Sequence, residues 1–157
     1  MALTKEAIFC ALTRLDEKLR EKNVKGELCL VGGTVMLLAF NARPSTKDVD
    51  AIFHPVVFIR EAAKEIQVEQ TLPINWLNDA AKAFISAKHE SAVEVVRIGL
   101  PKFNNLTVYW PQPEYLLAIK TMASRLQALK ERGDLEDIKI LIKHLGLKSP
   151  KEVFDIV

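Results

Sequence analysis

The chain is poor in the residues that mark special classes of protein. It has two cysteines, Cys10 and Cys29, and neither belongs to a CxxC pair. A disulfide framework and a zinc knuckle are therefore not indicated, and both thiols are expected to be buried and inert, as free cysteines usually are. Neither sign of charge dominates: the formal net charge is +2. Nothing drives the whole molecule toward nucleic acid or anionic lipid, although a local basic face stays compatible with that total. No stretch is rich enough in Pro, Gly or Ser to be a linker, and no repeat is visible. The longest apolar run, 28–40, is interrupted by Gly32 and Gly33 and is short of the roughly 20 residues of a membrane span. The N-terminal residues carry no apolar signal core, so the cytoplasm is the expected compartment and no membrane partner is expected.

What remains is ordinary globular material, 157 residues with 49% hydrophobic and 27% charged side chains. That is the size of one domain able to bury a core unaided. Ile8, Leu12, Leu15 and Leu19 recur at helical spacing, and Thr4 is a natural N-cap for a helix over 4–21. A buried strand is predicted at 27–31, a short helix at 34–40, a loop at 41–46 and a second strand at 47–53. Helices are predicted at 58–70 and 75–86, and strands at 92–98 and 106–110 that pair as a hairpin. The rest reads as helical: 114–130, then 134–145 closed by Gly146, then a capping box from Ser149 to Glu152. The expected class is α/β (α+β): a short mixed sheet flanked by helices, with a sheet-containing core over about 1–112 and a helical part over about 113–157, in a single domain.

The chemistry is concentrated between Leu28 and Phe53. Residues two apart on a strand share a face, so Asp48 and Asp50 bring two carboxylates together while Val49, Ala51 and Phe53 face the core. Paired carboxylates repel unless a cation stands between them. Mg²⁺ (or Mn²⁺) suits carboxylate and phosphate oxygens together, and phosphoryl transfer uses that arrangement. Upstream, Gly32-Gly33 joins a strand to a helix, which permits a sharp turn and close approach of a phosphate, and Thr34 adds a hydroxyl. Each signal alone is weak; the competing reading is a tight turn beside a solvated acidic edge. In combination and in this order they are much more specific.

Leu30-Val31-Gly32-Gly33-Thr34 followed by Ser45-Thr46-Lys47-Asp48-Val49-Asp50 resembles the signature of the DNA polymerase beta-like nucleotidyltransferase superfamily. More narrowly, it is similar to the small bacterial and archaeal branch that includes abortive-infection and toxin–antitoxin nucleotidyltransferases. A weaker likeness runs through 113–120 and 132–137. The resemblance implies transfer of a nucleoside monophosphate from an NTP to an acceptor hydroxyl, on a tRNA, a protein or a small molecule, with an antitoxin as a partner. It implies that Gly32, Gly33 and Thr34 contact phosphates, that Asp48 and Asp50 bind Mg²⁺, and that Lys120 with Asp134 or Asp137 completes the site.

Each later residue has a bland competitor. Lys120 is either a phosphate ligand or a snorkelling surface lysine, and Arg125 either assists it or is simply solvated. Asp134, after Gly133, reads equally as an N-cap, with Asp137 in the first turn. His54, His89 and His144 read as surface residues, and Trp76, Tyr109 and Trp110 as packing residues, with Tyr109 or Trp110 the candidates for stacking on a base. The strand at 106–110 lacks the third metal carboxylate that many superfamily members carry, and Glu94 is the nearest substitute. That gap supports an alternative: a catalytically weak or inactive module of the same fold that binds a nucleotide or a protein.

Overall fold

The computed structural model describes residues 2–79, 102–114, 116–118, 121 and 132–152, with 132–135 as backbone alone. Helix α1 spans Lys5–Glu21, and its N-cap is Thr4, whose side chain accepts the Ala7 N–H at 3.2 Å. The predicted stripe is fully buried: Ile8, Leu12, Leu15 and Leu19 are all at zero exposure. Burial of such side chains contributes about 1.5–3 kcal/mol each. Helix α3, Val56–Glu69, starts two residues before the predicted boundary and lies beside α1.

Among the described residues the sheet beneath these helices has four strands: β2 (Gly26–Val31), β4 (Val49–His54), β5 (Leu77–Asn78) and β6 (Leu106–Tyr109), in the order β5-β4-β2-β6. β2 and β4 are antiparallel, whereas β6 is parallel to β2 and β5 is parallel to β4. The result is the mixed sheet with flanking helices that the pattern implied. A cradle for the helices is built into β2: a Cβ on Gly26 would meet Leu19 of α1 at 2.9 Å and Ile59 of α3 at 3.4 Å.

Several local expectations change. The predicted helix at 75–86 does not begin there, because Leu77–Asn78 is the edge strand β5. Its register is fixed by the Val49 N–H, which donates to the Trp76 carbonyl at 2.6 Å, while the indole Nε1 of Trp76 donates to the Ala63 carbonyl at 2.9 Å. Tertiary pairing overrides local helical preference. The loop at 41–46 contains a two-residue strand, β3 (Ser45–Thr46), antiparallel to β1 (Leu3–Thr4). β6 finds its described partner in β2, and the first arm of the expected hairpin, 92–98, lies outside the described residues. Cys10 is exposed, contrary to expectation, because it falls off the apolar stripe of α1. Cys29 is buried, and burial pushes its thiol up to about 12.

Toward the C-terminus, helix α4 spans Arg132–Leu145. It therefore includes Asp134, which is not the N-cap. Gly146 closes it at φ +69°, with its own N–H on the Lys143 carbonyl and that of Leu147 on the Ile142 carbonyl, both at 3.1 Å. This is the left-handed closure that favours glycine. Half of the expected capping box is present: the Glu152 N–H donates to Ser149 Oγ at 3.2 Å. The reciprocal bond shifts by one residue, as Glu152 Oε2 accepts the Lys148 N–H at 2.6 Å. Among the described residues, no helix is long and apolar enough to cross a membrane.

Candidate active site

The site starts where β2 ends. Gly32 takes φ +71°, ψ −151°, a conformation that side-chain-bearing residues rarely adopt. Helix α2, Gly33–Leu38, follows at once and buries Thr34, Val35, Met36 and Leu37. The antiparallel register places Val31 opposite Asp50, so the turn after Val31 rises beside the first residues of β4. A Cβ on Gly32 would lie 2.7 Å from Asp50 Oδ2. Here glycine is required twice, by the backbone angle and by the carboxylate packed against its α-carbon.

Asp48 lies just outside β4, one residue before its start, yet the alternation of the strand carries through it. Val49, Ala51 and Phe53 are buried, while Asp48 and Asp50 keep partial exposure. The Asp48 backbone is pinned from two directions, because its carbonyl accepts the hydroxyls of Thr34 and Thr46, each at 3.2 Å. A carbonyl has two lone pairs for such bonds. Thr34 is fully buried, and its hydroxyl ties α2 to the Asp48 backbone. Thr46 is placed by the β1–β3 pairing, which lends the N-terminal segment a part in the site.

Two further side chains close over the second glycine. A Cβ on Gly33 would meet Arg43 Nη1 and Thr46 Oγ1, both at 2.8 Å. Arg43 Nη2 donates to Asp137 Oδ2 of α4 across 94 positions of sequence. The Asp137 side chain is 3% exposed and that of Arg43 25%. The later carboxylate that the resemblance singled out thus reaches the glycine turn through an arginine that the pattern did not single out. Asn78 of β5 also joins the frame, opposite Asp50 in the parallel register.

The other expected site residues are distributed unevenly. Lys120, Arg125 and Glu94 lie outside the described residues. Asp134 lies within α4, described by its backbone. Trp110 is buried at 5% exposure and so offers no face to a base, whereas Tyr109 keeps partial exposure. His54 and His144 are exposed as expected, His144 packing edge-on against Phe40 with ring centroids 5.0 Å apart. His89 lies outside the described residues. Among the described residues no group of three or more His, Cys, Asp or Glu gathers at one point.

The donor set fits a hard divalent cation in one respect. The Asp50 carboxylate at the glycine turn, with Asp48 two residues before it, is a suitable protein share for an ion that takes its remaining oxygens from phosphate and water. No curated protein and no solved structure matches the chain. A family model does match, over residues 9–154, and the chain therefore belongs to the family described as nucleotidyltransferase of unknown function (DUF6036).

Proposed function

We propose that the protein transfers a nucleoside monophosphate from an NTP to an acceptor hydroxyl, with Mg²⁺ or Mn²⁺ held by Asp48 and Asp50. The observation that carries this reading is the approach of Asp50 Oδ2 to the α-carbon of Gly32, which joins the metal-binding residue type to the phosphate-accommodating turn. Asp48 and Asp50 would hold the cation, which when bound would supply charge neutralisation for the breaking anhydride bond. The chain's own part is positional. Gly32 leaves room for the Asp50 carboxylate and Gly33 for Arg43 and Thr46, and Thr34 and Thr46 fix the Asp48 backbone just ahead of β4. An acceptor oxygen attacks the α-phosphorus in line, the α–β anhydride bond breaks, pyrophosphate leaves, and the hydroxyl proton passes to solvent.

The acceptor belongs to the class of tRNA ends, protein side chains or small molecules, and the resemblance to the toxin–antitoxin branch favours a cytoplasmic toxin with an antitoxin partner. The same resemblance assigns Lys120 to the site, and Arg125, five residues on, would assist it at the phosphates. Incubation with labelled NTPs, Mg²⁺ and cell extract tests the proposal. Label transfer is expected from the native protein and a loss of 100-fold or more, roughly 3 kcal/mol of barrier, from the Asp48→Ala/Asp50→Ala variant. Undiminished transfer by that variant would rule the mechanism out.

One observation favours a second reading. Among the described residues the two aspartates have no third carboxylate grouped with them, which suits a module that binds nucleotide or protein without turnover. Calorimetry with ATP, GTP, CTP and UTP separates the two, since tight binding without transfer belongs to the module and no binding counts against both.

A further inference from the structure

Resting on the nucleotide reading above, we infer that Arg43 is the ligand of the phosphate tail and that Asp137 is its positioning residue. The two glycines of the turn carry opposite charges on their α-carbons. Asp50 Oδ2 stands 2.7 Å from the Cβ position of Gly32, and Arg43 Nη1 stands 2.8 Å from the Cβ position of Gly33. One residue step along the backbone thus separates a carboxylate from a guanidinium. A metal–polyphosphate complex has the matching polarity, with its cation at one end and uncompensated phosphate oxygens at the other. Laid along the turn with its cation toward Asp50, it brings the tail to Arg43. A guanidinium suits this task because its planar fork of donors matches phosphate oxygens and its charge persists at every working pH.

The second observation is how the arginine is held. It comes from the segment between α2 and β3 and would have many rotamers to choose from, yet its Nη2 donates to Asp137, a carboxylate buried in α4. Asp137 is 3% exposed, so it works by fixing the guanidinium from behind rather than by meeting solvent or substrate. Thr46, the other side chain over Gly33, confines the same space. The Gly33 position is thereby filled with a preset positive charge in place of a methyl group, and preset charge is what makes such contacts effective.

Titration calorimetry with ATP, AMP and inorganic tripolyphosphate, each with Mg²⁺, tests the assignment. Arg43→Gln is expected to weaken ATP and tripolyphosphate at least tenfold and to leave AMP within twofold. Arg43→Lys is expected to recover part of the loss, and Asp137→Asn to weaken ATP about threefold or more through a misplaced Arg43. Where Arg43→Gln fails to fold, the Arg43→Gln/Asp137→Asn double variant, which removes both charges together, carries the same test. Equal affinity of the native protein and these variants for ATP, with only their melting temperatures lowered, would overturn the proposal and leave the nucleotide reading standing if Asp48→Ala/Asp50→Ala still abolishes binding. Failure of the native protein to bind any of ATP, GTP, CTP, UTP or tripolyphosphate would overturn both.

Discussion

On the outer surface where α1 meets α3, Lys18 Nζ bonds to Glu65 and Glu69 at 2.8 Å each, and Arg14 reaches Glu69 at 2.9 Å and Glu17 at 3.1 Å. These charges alternate in sign, satisfy one another and sit above a fully apolar stripe. At the far end of β2, by contrast, Asp50 of β4 and Asp48 just ahead of it lie near a glycine turn that Asp50, Arg43 and Thr46 pack against. The first region would lose only modest stability if its ion pairs were deleted. The second gathers like charges at an edge that the core does not require. A fold arranges charge in the second way when something besides folding calls for it.

Substitutions can break or sharpen this contrast. The largest effect on stability is expected far from the site, at Asp16. Its carboxylate, 6% exposed, accepts the N–H groups of Asn104, Asn105 and Leu106 at 3.2, 2.7 and 2.9 Å and so holds the start of β6. Asp16→Ala leaves buried donors unpaired and should cost about 3 kcal/mol in chemical denaturation, while the protein that remains folded keeps its nucleotide affinity. If affinity fell in step, the body and the site would not be separable. Gly32→Ala comes next. The left-handed backbone and the crowding by Asp50 should cost about 2 kcal/mol of stability, and displacement of the carboxylate should lower NMP transfer by more than that stability change explains. Unchanged transfer would show that the Gly32–Asp50 contact is only structural.

The smallest effect is expected on the α1–α3 surface. Arg14 foremost, and then Lys18, hold the Glu69 carboxyl down to about 2 from an ordinary 4.5. The folded state therefore resists a proton that the unfolded chain accepts, so this contribution is present above about pH 4.5 and fades as pH falls toward about 2. Melting curves collected from pH 6 to pH 2 should show Glu69→Gln with a shallower acid slope than the native protein and unaltered nucleotide affinity at neutral pH. Parallel slopes would remove Glu69 from the account.

Much of the fold was legible because its signals are local. The stripe of α1, the Thr4 cap, the Gly146 closure and the alternation through β4 each depend on residues within a few positions of one another. The same holds for the core of the site, where a glycine pair and two aspartates announce a turn and a strand face. What stayed hidden depends on distant partners. Arg43 looks like any loop arginine until α4 supplies Asp137, and Asp137 looks like a first-turn acid until α4 is seen to include Arg132. Leu77 and Asn78 read as helix because their strand character comes from parallel pairing with Val49 and Asp50 of β4. Thr46 gains its place only through β1, from the other end of the chain.

The parallel pairing of β2 with β6 sets an order of events during synthesis. Gly26 aligns with Leu106, and the Asp16 clamp spans 88 to 90 positions to the same segment. Closing so long a loop costs entropy that must be met before these contacts return anything. An emerging chain can assemble α1, the Gly32 turn and β4 early, but one side of β2 stays open until Leu106 has left the ribosome. The Gly32 turn and the Asp50 strand are in this way ready before the sheet that supports them is complete, whereas the Asp137 hold on Arg43 waits for α4.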